Sequence, residues 1–85
     1  MTHTDMMGRA AVPVPAMDVD ALSHLPFNAR MLAFADYDMA ANWWGLGRRC
    51  RALHMRGWQL DYRRAMRAWG RYKQAVRAAR MQVAA

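Results

Sequence analysis

Three side chains with reactive or metal-binding chemistry follow one another in the second half of the chain: Cys50, His54 and Asp61. On a single α-helix, which turns by about 100° per residue, they fall within about 40° of each other. A thiol and an imidazole four residues apart can chelate a metal ion, and zinc then needs one or two further ligands. The candidates for those ligands elsewhere in the chain are His24, Asp36 and Asp38.

The same thiol and imidazole are the beginning of a nucleophilic mechanism, but catalysis also needs a third orienting group, an oxyanion site and a pocket. A short chain of two helices offers little concavity, and the glycines around Leu46 lack the spacing of a phosphate-binding loop. We therefore expect Cys50 to be a small core residue, His54 to lie at its boundary and Asp61 to pair with an arginine. We expect no enzyme, no metal centre and no cofactor.

The residues from Met55 to Val83 show the strongest periodicity. Apolar and aromatic residues recur there at alternating spacings of three and four, which predicts an amphipathic α-helix. This apolar seam comprises Met55, Trp58, Tyr62, Ala65, Trp69, Tyr72, Val76, Ala79 and Val83. The opposite side of the helical wheel carries Arg49, Arg56, Arg63, Arg64, Arg67 and Arg71. The pattern predicts one long helix, about residues 48–81.

A shorter helix is predicted before it, over about residues 28–43. Asn28 is an acceptable N-cap, and Gly45-Leu46-Gly47 is the predicted hinge because glycine adopts the conformations that end helices. One apolar face of this helix comprises Phe27, Met31, Phe34, Tyr37, Ala41 and Trp44, and a second, nearly opposite face comprises Leu32, Met39, Trp43 and Leu46. A helix that is apolar on two sides is normally sandwiched between other elements.

The predicted fold class is therefore all-α: a helical hairpin of a short helix and a long amphipathic helix, preceded by a disordered N-terminal arm. At about 1.5 Å per residue the two helices would be about 22 and about 50 Å long. The short helix would leave the second half of the apolar seam bare in a monomer, from Trp69 and Tyr72 to Val76 and Val83. A bare aromatic stripe implies another surface.

The N-terminal arm comprises residues 1–17, which show no helical or strand period and contain the extended unit Val12-Pro13-Val14-Pro15. Residues 18–85 form the predicted helical hairpin domain. That domain begins with one or two helical turns, which Asp18 caps and Pro26 ends.

The charge is distributed unevenly along the chain. Residues 1–46 carry five aspartates against two arginines, whereas residues 47–85 carry ten arginines and one lysine against one aspartate. The net charge of +7 thus comes from the second half and indicates an anionic partner. The single cysteine excludes an internal disulfide, and we expect neither a secretory signal nor a membrane-spanning helix, since the sequence shows no long apolar window. We expect a cytoplasmic protein that oligomerisation or a partner stabilises.

These features favour a small, non-enzymatic α-helical accessory subunit that self-associates or docks on a protein partner. Its predicted protein interface comprises Trp58, Tyr62, Trp69, Tyr72, Val76, Phe34, Trp43 and Trp44, and its anion-binding residues are the six arginines named above. Two alternatives stay open: a nucleic-acid-binding protein, and a peripheral protein whose amphipathic helix lies on an anionic membrane surface. We expect no small-molecule substrate.

Overall fold

The structure is a computed structural model that describes residues 14–84, and its regular elements are three helices. They are α1, Val19–Leu22; α2, Phe27–Ala52; and α3, Trp58–Ala84. Helices α2 and α3 pack antiparallel along their length, and α1 packs mainly against α3. No strand occurs between residues 14 and 84. The prediction of an all-α helical hairpin is confirmed.

The predicted helix bounds and hinge were wrong. Helix α2 continues through Gly45-Leu46-Gly47 and is 26 residues long, close to the 27 residues of α3. Gly47 is buried because α2 crosses α3 closely there, and a Cβ atom on it would lie only 2.7 Å from the ring of Tyr62. The absent side chain serves helix packing at this position and not a change in chain direction.

The turn between the helices lies at residues 53–57 and begins with a Schellman motif. Leu53 is the C-cap of α2, and the next residue, His54, has a positive φ of 57°. The N–H of Met55 donates to the carbonyl of Cys50 at 2.8 Å, and the N–H of His54 donates to the carbonyl of Arg51 at 3.1 Å. A histidine thus occupies the left-handed position that glycine usually takes, so the sequence carries only a weak signal for this turn.

The interface between α2 and α3 is built from small side chains. Its buried residues include Ala33 and Ala40 of α2 and Ala65, Ala68 and Ala79 of α3. Alanine and glycine on both helices allow the two backbones to approach closely, so aromatic rings lie along the sides of the contact.

Helix α1 closes the open end of the hairpin and packs against α3. Leu22 is fully buried and is the largest side chain that is completely so among the described residues. Asp18 caps the helix, since its Oδ1 accepts a hydrogen bond from the N–H of Ala21 at 3.1 Å. Leu25 is also buried, and Pro26 then precedes α2.

Residues 14–18 have no regular secondary structure and cross the hairpin. The hydroxyl of Tyr37 donates to the carbonyl of Pro15 at 2.6 Å, and the N–H of Asp18 donates to the hydroxyl of Tyr72 at 2.8 Å. The predicted disordered arm falls largely on residues 1–13, which lie outside the described residues.

The expectation of a bare aromatic stripe on the second half of α3 was also wrong. Because α2 nearly matches α3 in length, Tyr72 is only 4% exposed, and Trp69 and Val76 are half-buried. Val83, at 58% exposed, is the one member of that set that stays uncovered. The lengths of the helices, and not the apolar pattern, determine how much of the seam is covered.

Candidate anion-binding face

The aromatic residues predicted to form a protein interface lie against one another within the hairpin. In one cluster the ring centroid of Tyr37 is 6.2 Å from that of Trp69 and 5.2 Å from that of Tyr72. In a second cluster the ring of Tyr62 is 5.4 Å from those of Trp44 and Trp58. Aromatic pairs at such distances stabilise a fold beyond their burial.

The other predicted interface residues are also partly covered by the chain itself. The guanidinium of Arg64 lies 4.6 Å from the ring centre of Trp43, and Phe34 and Val76 pack against the core. None of the eight is among the strongly exposed hydrophobic residues of the described chain. The structure thus brings them together inside the hairpin, and a contact with another protein through them stays a prediction.

The six predicted anion-binding arginines do not share one helix face. Arg49 is half-buried near the end of α2, and Arg56 is exposed in the turn. The other four are on α3: Arg63, Arg64, Arg67 and Arg71. The single-helix arrangement was wrong for the first two because the chain turns at residues 53–57.

Three cations of α3 are used within the fold. Arg71 Nε lies 2.9 Å from Asp36 Oδ1 and joins α3 to α2. Arg80 Nη2 lies 2.7 Å from Asp18 Oδ2 and joins α3 to the start of α1. Arg64 lies 3.7 Å from Asp61, the only acidic residue of α3, which is 9% exposed. The carboxylates near α3 are therefore engaged by these three arginines.

The remaining cations of α3 are Arg63, Arg67, Lys73 and Arg77. All four are exposed, and none of their side chains makes a hydrogen bond or an ion pair within residues 14–84. On the helical wheel they occupy an arc of about 120°, and they extend over about 21 Å of the axis. We name this surface, together with Met66, Gly70 and Gln74 between its cations, the outer face of α3. Sequence reasoning missed Lys73 and Arg77. Both fall on the same side of the helical wheel as Arg63 and Arg67, and that periodicity could have indicated them.

Gly70 lies near the middle of the outer face of α3. A Cβ atom built on Gly70 would meet no atom of the described residues within 4 Å, so packing among them does not require glycine there. Glycine inside a helix costs about 1 kcal/mol relative to alanine. Gly70 therefore lowers the stability of α3 without allowing a closer contact between helices, in contrast to Gly47.

The groove beside this face extends it toward the N-terminal segment. An open depression of about 710 Å³ lies between residues 15–18 and α3, and Trp69, Lys73, Arg77 and Arg80 are among its lining residues. The cationic side chains at its edge add to the positive potential of the outer face.

The candidate metal ligands are separated by the turn. Cys50 lies in α2 and is half-buried, His54 occupies the turn, and Asp61 is buried in α3. They do not share one helix as the wheel suggested, and within residues 14–84 no group of three or more His, Cys, Asp or Glu side chains is placed to hold a metal ion.

A scan against protein-family models finds no match for this chain, and comparisons with curated proteins and with solved structures find none either. Over the residues that the structure describes, no helix combines the length and apolar character needed to cross a bilayer.

Proposed function

We propose that the protein is a small, non-enzymatic α-helical interaction protein that binds nucleic acid through the outer face of α3. The observation that supports this most is the set of four exposed cations along one helix, Arg63, Arg67, Lys73 and Arg77, with no ion-pair partner in the described chain. Cations that only stabilise a fold are expected to find acidic partners, as the other three on α3 do.

The spacing of these cations suits a polyanion with a regular repeat of charges. Duplex DNA presents about one negative charge per 1.7 Å of its axis, so a helix face about 21 Å long meets several phosphates. Arginine guanidinium groups bind phosphate oxygens in a bidentate manner. A phosphate contact of this kind positions the protein on nucleic acid and does not by itself select a base sequence.

Gly70 supports close approach of a partner backbone. Its missing side chain leaves a gap between the cations on either side of it, and no atom of residues 14–84 comes within 4 Å of the place that a Cβ would take. Glycine is favoured where the backbone must come close to a ligand. A phosphodiester backbone lying across α3 would make use of both the cations and the gap.

The packing of the hairpin disfavours a membrane surface as the partner. An amphipathic helix on a lipid surface inserts its aromatic side, but Tyr72 and its neighbours on α3 are covered by α2 and by residues 14–18. The exposed apolar residues of α2 lie on the other helix, away from the basic face of α3. On α3 exposed apolar residues such as Met66 and Met81 stand singly among the cations, so α3 offers no continuous apolar face to a lipid surface.

The test compares two double variants that remove the same charge. R63Q/R67Q removes unpaired cations of the outer face, whereas R71Q/R80Q removes two that are paired with Asp36 and Asp18. Affinity for a short DNA duplex is measured by fluorescence anisotropy across a range of salt concentrations, with circular dichroism to verify folding. We expect R63Q/R67Q to flatten the slope of log K against log salt by about 2, because each phosphate contact contributes about 0.9. R71Q/R80Q should change the slope less.

Three results would contradict the proposal. The wild type would fail to bind duplex or single-stranded nucleic acid even at low salt, the two double variants would have equal slopes, or the wild type would sediment with anionic vesicles while ignoring nucleic acid. The last result would support the membrane alternative. We also propose that the protein is cytoplasmic and acts as an accessory subunit.

A further inference from the structure

Helix α2 has a second apolar face that the described chain leaves largely exposed, with only Leu46 half-buried. Leu32 is 68% exposed, Met39 is 40% exposed, and Leu53, at the end of the helix, is 69% exposed. These three side chains lie within about 60° of one another on the helical wheel. We name this surface the outer face of α2; it comprises Leu32, Ala35, Met39, Asn42, Leu46 and Leu53.

The two halves of α2 differ in charge. Its N-terminal half carries Arg30, Asp36 and Asp38, a net charge of −1, and its C-terminal half carries Arg48, Arg49 and Arg51, a net charge of +3. Asp38 is exposed and has no ion-pair partner within the described residues. A helix with this distribution is electrostatically complementary to a second copy of itself that runs in the opposite direction.

We propose that the outer face of α2 binds the same face of a second copy of this chain, with the two α2 helices antiparallel around a twofold axis near Asn42. An isologous contact of this kind requires a self-complementary surface. With the axis between residues 42 and 43, Leu32 meets the partner's Leu53, and Met39 meets the partner's Leu46. The same register places Asp38 about half a turn along the axis from the partner's Arg49.

The small core of the monomer favours such a contact. Most of its buried residues are alanines, and small folds of limited core often depend on oligomerisation. The outer face of α2 is about 32 Å long from Leu32 to Leu53 and about 10 Å wide, which gives a footprint of about 320 Å² per copy. Specific interfaces bury about 800 Å² per partner, so we expect a weak dimer whose population depends on concentration.

The dimer also agrees with the distribution of charge on the hairpin. Helix α2 carries four arginines against two aspartates, whereas α3 carries six arginines and one lysine against one aspartate. Pairing through α2 keeps the two strongly cationic α3 helices at the outer edges, where their mutual repulsion is least. This inference does not depend on nucleic acid binding.

Sedimentation equilibrium tests the proposal on the full chain. The wild type should show a monomer–dimer equilibrium, and L32Q/M39Q should shift it at least tenfold toward the monomer. M66Q/M81Q replaces two exposed apolar residues of α3 and is the matched control, which should leave the equilibrium unchanged. The proposal would be overturned if the wild type were monomeric at all concentrations, or if the control shifted the equilibrium as much as L32Q/M39Q does. The outer face of α2 would then be a contact for a different protein.

Crosslinking tests the antiparallel register independently. The register places Ala35 opposite the partner's Cys50, whereas the two Cys50 residues would lie about 22 Å apart. A35C treated briefly with a short bifunctional maleimide should therefore give a covalent dimer, and the wild type should not. Within one chain the two thiols of A35C are also about 22 Å apart on α2, so an internal crosslink does not compete. No covalent dimer with A35C, or an efficient one with the wild type, would refute this arrangement.

Discussion

The ring of Tyr62 lies directly against Gly47, so that a Cβ atom at residue 47 would be 2.7 Å from Cδ1 and 2.8 Å from Cε1 of the ring. Tyr62 cannot move away easily, since its ring is in contact with those of Trp44 and Trp58. This contact explains why a glycine stands in the middle of a 26-residue helix. It also marks the place where α2 and α3 come close together.

Gly47→Ala should therefore destabilise the protein, although alanine is the better helix former. Overpacking a core typically costs about 1–3 kcal/mol, and the gain in helix propensity returns about 1 kcal/mol. We expect a net loss of up to about 2 kcal/mol in the free energy of unfolding, measured by urea denaturation. An unchanged or higher stability would show that Tyr62 has room to move.

Gly70→Ala is the matched control, and it also bears on function. A methyl group there meets no atom within 4 Å, so the variant should gain about 1 kcal/mol of stability from helix propensity. If a nucleic acid backbone approaches α3 at this residue, the same variant should bind nucleic acid more weakly. A variant that is both more stable and equally active in binding would argue against close approach at Gly70.

The turn between α2 and α3 offers a second stability test. His54 has a φ of 57°, a left-handed conformation that costs a residue with a side chain about 1–2 kcal/mol. His54→Gly should raise the free energy of unfolding by up to about 1 kcal/mol. In a chain of this size that gain raises the melting temperature by up to about 5 °C. His54→Val should lower it, because a β-branched residue is especially disfavoured at positive φ. Equal melting temperatures for the two variants would contradict the Schellman geometry.

The third prediction concerns Tyr72, which the sequence suggested as a contact for another protein. Its ring is buried in this chain, and its hydroxyl accepts a hydrogen bond from the N–H of Asp18 at 2.8 Å. Tyr72→Phe should cost about 1 kcal/mol through loss of that bond, and Tyr72→Ala about 3–5 kcal/mol through loss of the ring as well. Urea denaturation of the two variants gives both values. A Tyr72→Ala protein as stable as Tyr72→Phe would show that the ring is not part of the core.

Asp18 should make stability depend on pH in the acid range. The N–H of Ala21 and the guanidinium of Arg80 both favour its charged form and lower the pKa of its carboxyl group below the ordinary value of 3.8. A lowered pKa in the folded state means that the contribution to stability is complete above about pH 4 and is lost as the pH falls through the folded pKa. We therefore expect a steeper loss of stability below about pH 4 in the wild type than in Asp18→Asn.

Asp18→Asn is a suitable comparison because asparagine is also a good N-cap. At neutral pH the variant loses the ion pair with Arg80, and at low pH the two proteins should converge in stability. Thermal melts across the acid range measure the difference between them. A constant difference at all pH values would show that the charge of Asp18 does not contribute.

Several features of this protein follow from the sequence alone. The alternation of three and four residues from Trp58 onward determines that α3 is a helix with one apolar side, because that periodicity belongs only to an α-helix. Asp18 and Pro26 delimit the segment that contains α1. Asp18 is the N-cap of α1, and Pro26 separates this segment from α2. The concentration of arginine in the second half is likewise independent of the fold.

Tertiary structure decided the other features. Gly47 is compatible with either a hinge or a close helix crossing, and only the position of Tyr62 distinguishes them. The turn depends on His54, whose local propensity is weak, so its position is determined by packing of the helices on either side. That turn sets the lengths of α2 and α3, and through them the burial of Tyr72 and the separation of Arg49 and Arg56 from the outer face of α3. Which arginines are paired also required the fold, because Asp36 and Asp18 are 35 and 62 residues away from Arg71 and Arg80 in the chain.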